Sequence, residues 1–240
     1  MDKLNIELLN KEYQNKSVGE VVNYIINTLG REKVILASSM SIEDQVLTDI
    51  LLKINPQLRI FFIDTGRHFQ KTYDLMQETM QRYKFKYEVY APNNGELEAI
   101  LSKNSPNFFY ESIEQRKKCC EIRKVNPLKR VLSTVDGWIC GLRRDQSSTR
   151  QDIEIFEWDN THSIYKINPI AFWTENMVWD YIKKFNVPYS HLYNTGFRSI
   201  GCEPCTRAVR PGEDLRSGRW WWEDPDKKEC GLHIRMEEKI

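Results

Sequence analysis

The 240-residue chain carries 35 Lys and Arg against 34 Asp and Glu, a net charge of +1, with 40% hydrophobic and 12% aromatic residues. This length suits one substantial domain with a short extension, and the composition excludes a disordered chain. The balanced charge excludes global attraction to nucleic acid or an acidic membrane surface, so basic chemistry must come from local clusters.

Met1 to Asn5 open a polar N-terminus without the apolar core of a signal peptide, and no later apolar run approaches the roughly 18–20 residues that span a bilayer. A soluble cytoplasmic protein is expected. In that reducing setting the six cysteines read as metal-binding or catalytic thiols before they read as disulfides.

Ser17-Val18-Gly19-Glu20 is a capping box, and Val21, Val22, Ile25, Ile26 and Leu29 follow at helical spacing until Gly30 stops the helix. Residues 33–38 read as a buried strand, and 43–53 as a helix with Val46, Leu47, Ile50 and Leu51 on one face. The alternation continues with a strand at 59–64, a helix at 69–83, a strand at 86–91 and a helix at 95–103. Asn104 to Asn107 break the pattern before a basic helix that carries Cys119 and Cys120. Asn126-Pro127 ends that helix and starts another, since proline fits a first helical turn and disfavours helix just before itself. Residues 137–141, 153–158 and 163–167 are further strands, followed by a helix at 174–185. From Val187 the chain is irregular and rich in Gly, Pro, Arg and Trp.

Near-continuous apolar strands alternating with helices predict an α/β fold, a mostly parallel sheet covered by helices on both faces, with an irregular C-terminal tail wrapping the active site. Residues 1–190 are expected to form the nucleotide-binding part with the first cysteine pair. Residues 191–240 are expected to hold the second pair and a cysteine-bearing tail, all within one structural domain.

Ligands of such sheets bind at the carboxyl ends of strands. Three loops qualify. Ser38-Ser39-Met40-Ser41 offers hydroxyls and backbone N–H groups to a phosphate or sulfate, the alternative being a serine-capped turn. The Walker pattern GxxxxGK[ST] is absent, which counts against simple nucleoside triphosphate hydrolysis. In Asp64-Thr65-Gly66-Arg67-His68, Asp64 suits a hydrogen bond from a nucleotide, Gly66 admits a ligand to the backbone and Arg67 carries charge. In the stretch GLRRDQS, Arg143 and Arg144 suit a phosphosulfate or form a solvated pair. Arg216 and Arg219 stand beside three tryptophans that stack on a base or pack the tail. Cys140 reads as a small buried hydrophobe, and His68, His162 and His191 as structural.

Cys119-Cys120 and the pair in Cys202-Glu203-Pro204-Cys205 make four soft ligands for zinc or for iron and sulfide. Adjacent cysteines depart from the two spaced pairs of a zinc ribbon, which favours a cluster. Cys230, close to His233, presents a candidate nucleophile.

Taken together, KKCCEIRKVNPLKRVL, GLRRDQS, GCEPCTR, GRWWWE and ECGLH resemble the assimilatory adenylyl-sulfate reductases, the cluster-bearing branch of the sulfonucleotide reductases, from about Val34 to His233. The resemblance implies an adenine nucleotide alpha hydrolase-like fold and a 4Fe-4S cluster on Cys119, Cys120, Cys202 and Cys205. It implies that Cys230 attacks the sulfur of adenylyl sulfate, giving AMP and an S-sulfocysteine, from which thioredoxin or a similar dithiol releases sulfite for sulfate assimilation and cysteine biosynthesis. No thioredoxin-like domain follows Ile240, so an external reductant is expected. Substrate contacts are expected from Ser38, Ser39, Asp64, Thr65, Gly66, Arg67, Lys124, Arg143, Arg216, Arg219 and His233. Relatives usually carry a glycine near the position of Ser41, so a β-carbon there is expected to narrow that loop.

Three other readings stand beside this one. The first is reduction of 3'-phosphoadenylyl sulfate, or of both nucleotides. The second is an RNA-thiolating pyrophosphatase, disfavoured by the absent SGGxDS loop and the balanced charge. A non-catalytic nucleotide or redox sensor is disfavoured by the intact ECGLH. Neither nucleic-acid nor membrane partners are expected, and a homo-oligomer is left open.

Overall fold

The computed structural model describes residues 4–147 and 150–223. A six-stranded sheet has the order β3-β2-β1-β4-β6-β5, with β1 at Val34–Ser38, β2 at Arg59–Ile63, β3 at Glu88–Tyr90, β4 at Gly137–Ile139, β5 at Phe156–Asp159 and β6 at Ile164–Ile167. β1 pairs parallel with β2 and β4, and β4 parallel with β6; β5 closes the edge antiparallel to β6. The mostly parallel sheet expected from the sequence is therefore present. Strand order reverses at β1, placing a switch point between the carboxyl ends of β1 and β4.

The described residues fall into two compact units, one of residues 4–62, 72–88 and 132–190, the other of residues 63–71, 89–131 and 191–223. In the first, α2 (Val18–Leu29), α3 (Ile42–Ile54) and α8 (Glu175–Phe185) bury Val21, Val22 and Ile25, Val46, Leu47 and Leu51, and Val178 and Ile182. The predicted capping box opens α2, and Thr174, expected inside α8, is its N-cap. β1 is fully buried at Val34, Ile35 and Leu36, as a strand covered on both faces requires.

One helix was not expected. α1 (Ile6–Tyr13) buries only Leu9, too thin an apolar stripe to read from periodicity. Its Asn10 compensates by donating through Nδ2 to the Phe156 carbonyl at 2.9 Å and accepting from the Phe156 N–H at 2.9 Å, which satisfies part of the exposed edge of β5.

A second difference lies in α3. The helix also buries Glu43, Asp44, Gln45, Thr48 and Asp49, so it is not the simple amphipathic helix expected. The Asp49 carboxylate is shielded from solvent and accepts from Tyr83 Oη at 2.8 Å, Tyr181 Oη at 2.7 Å and Lys53 Nζ at 2.6 Å. Full pairing is what makes a buried carboxylate tolerable.

In the second unit, α5 (Asn94–Lys103) precedes α6 (Ile113–Cys120), which passes into a π-helical turn at Glu121–Val125 and on into α7 (Asn126–Leu132). The expected break at Asn126-Pro127 is a register change instead. Pro127 has no N–H to donate, and its ring would meet the carbonyl four residues earlier; the wider turn accommodates both. α4 spans Gln70–Tyr83.

Candidate active site

In the first unit the switch point is built by the loop after β1 and the loop after β4. Ser41 caps α3, its Oγ accepting from the Asp44 N–H at 3.3 Å. The Asp44 carboxylate turns back and accepts from the Ser39 N–H and the Ser39 hydroxyl, both at 2.7 Å. Burial pushes the Asp44 carboxyl up to about 6, the bonds from Ser39 opposing that rise and the neighbouring Glu43 adding to it. Two of the donors expected to meet an anion are thus held by an internal carboxylate. Left-handed backbone falls on Met40 (φ 64°), one position before Ser41, whose own φ is −68°. A non-glycine residue there carries strain of about 1–2 kcal/mol.

Arg143, buried, donates from Nε at 3.1 Å and Nη2 at 2.8 Å to one Glu43 oxygen, which also receives Gln146 Nε2 at 2.9 Å. Its Nη1 donates to the Trp173 carbonyl at 3.2 Å and to Asp145 at 3.3 Å. The guanidinium therefore ties the two loops together. Gly141 permits this approach: a β-carbon there would stand 2.5 Å from Asp44 Oδ1 and 2.9 Å from Glu43 Cβ.

In the second unit the Asp64–Arg67 loop is laced to both cysteine segments. Asp64 accepts from the Gly66 N–H at 2.8 Å, with Gly66 left-handed at φ 67°. Buried Thr65 places its hydroxyl 3.3 Å from Cys202 Sγ, and its carbonyl accepts from Arg123 Nη1 at 2.6 Å. The Glu203 N–H donates to the Arg67 carbonyl at 2.8 Å, beside an antiparallel bridge between His68 and Cys202. Arg67 donates to Asn107 Oδ1 at 3.1 Å and to the Pro106 carbonyl, and lies 5.0 Å from the Phe109 ring.

These contacts frame a pocket lined by Cys119, Cys120, Cys202 and Cys205, by the cations Arg67, Arg116, Arg123 and Lys124, and by Phe109 and Trp220. The π turn carries Arg123 and Lys124 to this pocket, directly after the tandem cysteines. Burial raises the Cys119 thiol and pushes Cys205 up to about 12. Cys202 is lowered: burial opposes ionisation, but Lys124, the Thr65 hydrogen bond, Arg219 and Arg123 outweigh it. Among the described residues no three His, Cys, Asp or Glu side chains converge on a single metal-ion position. Four sulfurs instead share one cation-rich pocket, a donor set that fits a thiolate-ligated cluster needing charge compensation.

One ion pair at this pocket, between the lining Arg116 and Glu223, was not expected. Arg116 and Glu223 form a forked ion pair, Nε to Oε1 at 2.9 Å and Nη2 to Oε2 at 2.7 Å, with side chains only 1% and 3% exposed. Arg116 also lies 4.7 Å from the Trp220 ring.

Arg219 is buried with its guanidinium 4.9 Å from the same ring, and its Nε has no acceptor among the described residues. It presses on Gly201, where a β-carbon would stand 2.4 Å from both Nη atoms. Because the guanidinium is the free end of a flexible side chain, Gly201→Ala is expected to leave the fold intact and displace Arg219. Isothermal titration with AMP checks this, with an expected weakening of about tenfold, or 1.4 kcal/mol; unchanged affinity would detach Arg219 from nucleotide binding. Arg216 lies in the turn before it, its N–H donating to Asp214 at 2.8 Å. Cys230 and His233 lie outside the described residues.

The profile of the phosphoadenosine phosphosulfate reductase domain matches residues 33–208. The chain belongs to the phosphoadenosine phosphosulfate reductase family. Within that family it is 47% identical over 203 residues to the adenosine 5'-phosphosulfate reductase of Burkholderia cepacia, covering 85% of this chain and 81% of the relative. It is 44% identical over 204 residues to that of Allochromatium vinosum, covering 85% and 80%. Among solved structures, the phosphoadenylyl-sulfate reductase of Candida auris, a phosphate complex, superposes with a TM-score of 0.74 at 26% identity, covering 87% of this chain and 98% of that one. An FMN adenylyltransferase of Candida glabrata shares the fold alone, with a TM-score of 0.56 at 15% identity over 95% of this chain and 80% of that one. The family and its α/β fold are those the cysteine and arginine motifs pointed to.

Proposed function

We propose that this chain reduces adenylyl sulfate to sulfite and AMP in sulfate assimilation. The observation that carries the reading is the shared pocket of four cysteine sulfurs and four cations. The names of the curated relatives favour the nucleotide without a 3'-phosphate.

In the proposed reaction the Cys230 thiolate attacks the sulfate sulfur. The sulfur–oxygen bond to phosphate breaks, the electron pair leaves with AMP, and Cys230 holds an S-sulfonate. A thiolate of thioredoxin or a similar dithiol then attacks Cys230 Sγ and sulfite departs. The second thiol resolves the mixed disulfide, so the dithiol supplies both electrons. Arg219, Arg216 and Lys124 offset the repulsion between a thiolate and an anionic substrate, with His233 orienting the tail. Asp64, Thr65, Gly66 and Arg67 shape the nucleotide side, as do Ser38 and Ser39; Arg143 acts through its ion pair with Glu43. A 4Fe-4S cluster on Cys119, Cys120, Cys202 and Cys205 would add fixed charge beside the substrate. The cytoplasm, where dithiol proteins are kept reduced, is the proposed location; no helix among the described residues is long and apolar enough to cross a membrane.

The test is the initial rate of sulfite release with thioredoxin on anaerobically prepared protein, comparing adenylyl sulfate with its 3'-phosphorylated form. Strong preference for the former is expected, comparable rates would make the enzyme a dual-substrate reductase, and no sulfite from either would overturn the reading. Cys202→Ser is expected to lose iron; unchanged iron content would sink the ligand assignment.

A further inference from the structure

We infer that Asp44, acting through Ser39, makes the loop after β1 an acceptor of hydrogen bonds, which takes an uncharged N–H or O–H donor of the nucleotide and turns a phosphate away. The inference rests on the proposed substrate and names the kind of group on it that this loop holds. Ser39 is exposed, whereas Asp44 is buried. A serine facing solvent at the carboxyl end of a parallel strand ordinarily offers an anion two donors, its N–H and its hydroxyl. Here both are turned inward, to the same Asp44 oxygen at 2.7 Å.

A hydroxyl has one hydrogen and two lone pairs. Once Ser39 Oγ has given its hydrogen to Asp44, only acceptor capacity is left to a ligand. The carboxylate is itself fixed. Asp44 sits in the first turn of α3, where Ser41 Oγ accepts from its N–H at 3.3 Å, and Gly141 makes room for its other oxygen, since a β-carbon there would stand 2.5 Å from Oδ1. Burial raises the Asp44 carboxyl to about 6, which still leaves it ionised at pH 8, and a charged acceptor holds both Ser39 donors more firmly than a neutral one.

Other groups that would hold an anion at this loop are engaged as well. The Met40 N–H donates to Ser38 Oγ at 3.4 Å. Arg143 spends Nε and Nη2 on Glu43, and Nη1 on Asp145 and the Trp173 carbonyl. Glu43 and Asp44 both stand in the first turn of α3, so the positive end of that helix is met by the chain's own carboxylates. A phosphate brought to Ser39 meets lone pairs backed by a negative charge. A sugar hydroxyl or the amino group of adenine meets an acceptor.

The test is isothermal titration of the full chain, purified anaerobically with its native cofactor content, comparing AMP with 2'-deoxy-AMP, 3'-deoxy-AMP and purine riboside 5'-monophosphate, which lacks the amino group. The parent is expected to bind one of the three about five- to tenfold more weakly than AMP, and Ser39→Ala to bind that analogue and AMP alike. The analogue concerned assigns the donor to the sugar or to the base. Discrimination of equal size in the parent and Ser39→Ala, or none in either, would overturn the inference. Asp44→Asn keeps an oxygen that accepts from Ser39 and is expected to bind AMP within about threefold of the parent. Asp44→Ala releases both Ser39 donors, and is expected to lose the discrimination among analogues and to bind inorganic phosphate about fivefold more tightly. Identical behaviour of the two variants would remove Asp44 from this role, and the exposed Ser39→Ala decides the matter should Asp44→Ala fail to fold. A parent that binds no AMP and releases no sulfite would fail the proposed reaction itself, an outcome distinct from a parent that turns over normally and shows no dependence on Ser39.

Discussion

Replacing Glu223 by Gln is expected to destabilise the second unit by about 3–5 kcal/mol, the cost of removing one charge from a buried, forked ion pair. Arg116 is 1% exposed and cannot turn to solvent, so its charge would stay buried among Phe109, Trp220 and the cysteines. Gln can accept from one nitrogen of the fork but supplies no charge. In a chain of this size the loss corresponds to a fall in Tm of roughly 6–20 °C. The comparison that isolates the charge is Arg116→Met with Glu223→Leu, which removes both members and is expected to recover most of the loss. A Tm for Glu223→Gln within 2 °C of the parent would show that the pair is dispensable. The pair ties α6, whose last residues are the tandem cysteines, to Glu223, so the iron of the proposed cluster is expected to fall together with stability.

The legible parts of this molecule are those whose causes are local. Strand and helix alternation follows from apolar runs and caps, and the Ser17–Glu20 box is a four-residue signal that the structure reproduces. The cysteine pairs are short-range patterns too, and all four sulfurs line one pocket. What escaped was long-range or polar. Arg143 was read as facing ligand, yet its partner Glu43 is 100 residues away and both are buried, a pairing no periodicity encodes. The same holds for Arg116 with Glu223 and for Thr65 with Cys202, separated by 107 and 137 residues. Pro127 gave a true signal with two physical outcomes, a helix end or a widened turn, and packing selected the second. The polar face of α3 was hidden because Asp, Gln and Thr ordinarily mark a solvated surface; here tyrosines and threonines from other segments meet them.

Cys230→Ser is expected to reduce sulfite release by on the order of 10⁴-fold or more while leaving the brown absorption of the proposed cluster in place. The argument is chemical. An unperturbed thiol with a pKa near 8.5 is about one quarter ionised at pH 8; a serine hydroxyl at that pH provides almost no anion, and its oxygen is a poor acceptor of a sulfonate from phosphate. The effect differs in kind from that of Cys202→Ser, which is expected to take away iron and colour first and activity as a consequence. A single-turnover experiment separates nucleophile from scaffold more sharply. With the dithiol withheld, the parent protein is expected to release AMP in a burst stoichiometric with enzyme and to gain the mass of one sulfonate on Cys230. The serine variant should release none while still binding AMP. A burst from the variant, or a sulfonate on another cysteine, would move the attacking sulfur elsewhere and leave the four-cysteine pocket as the place to look for it.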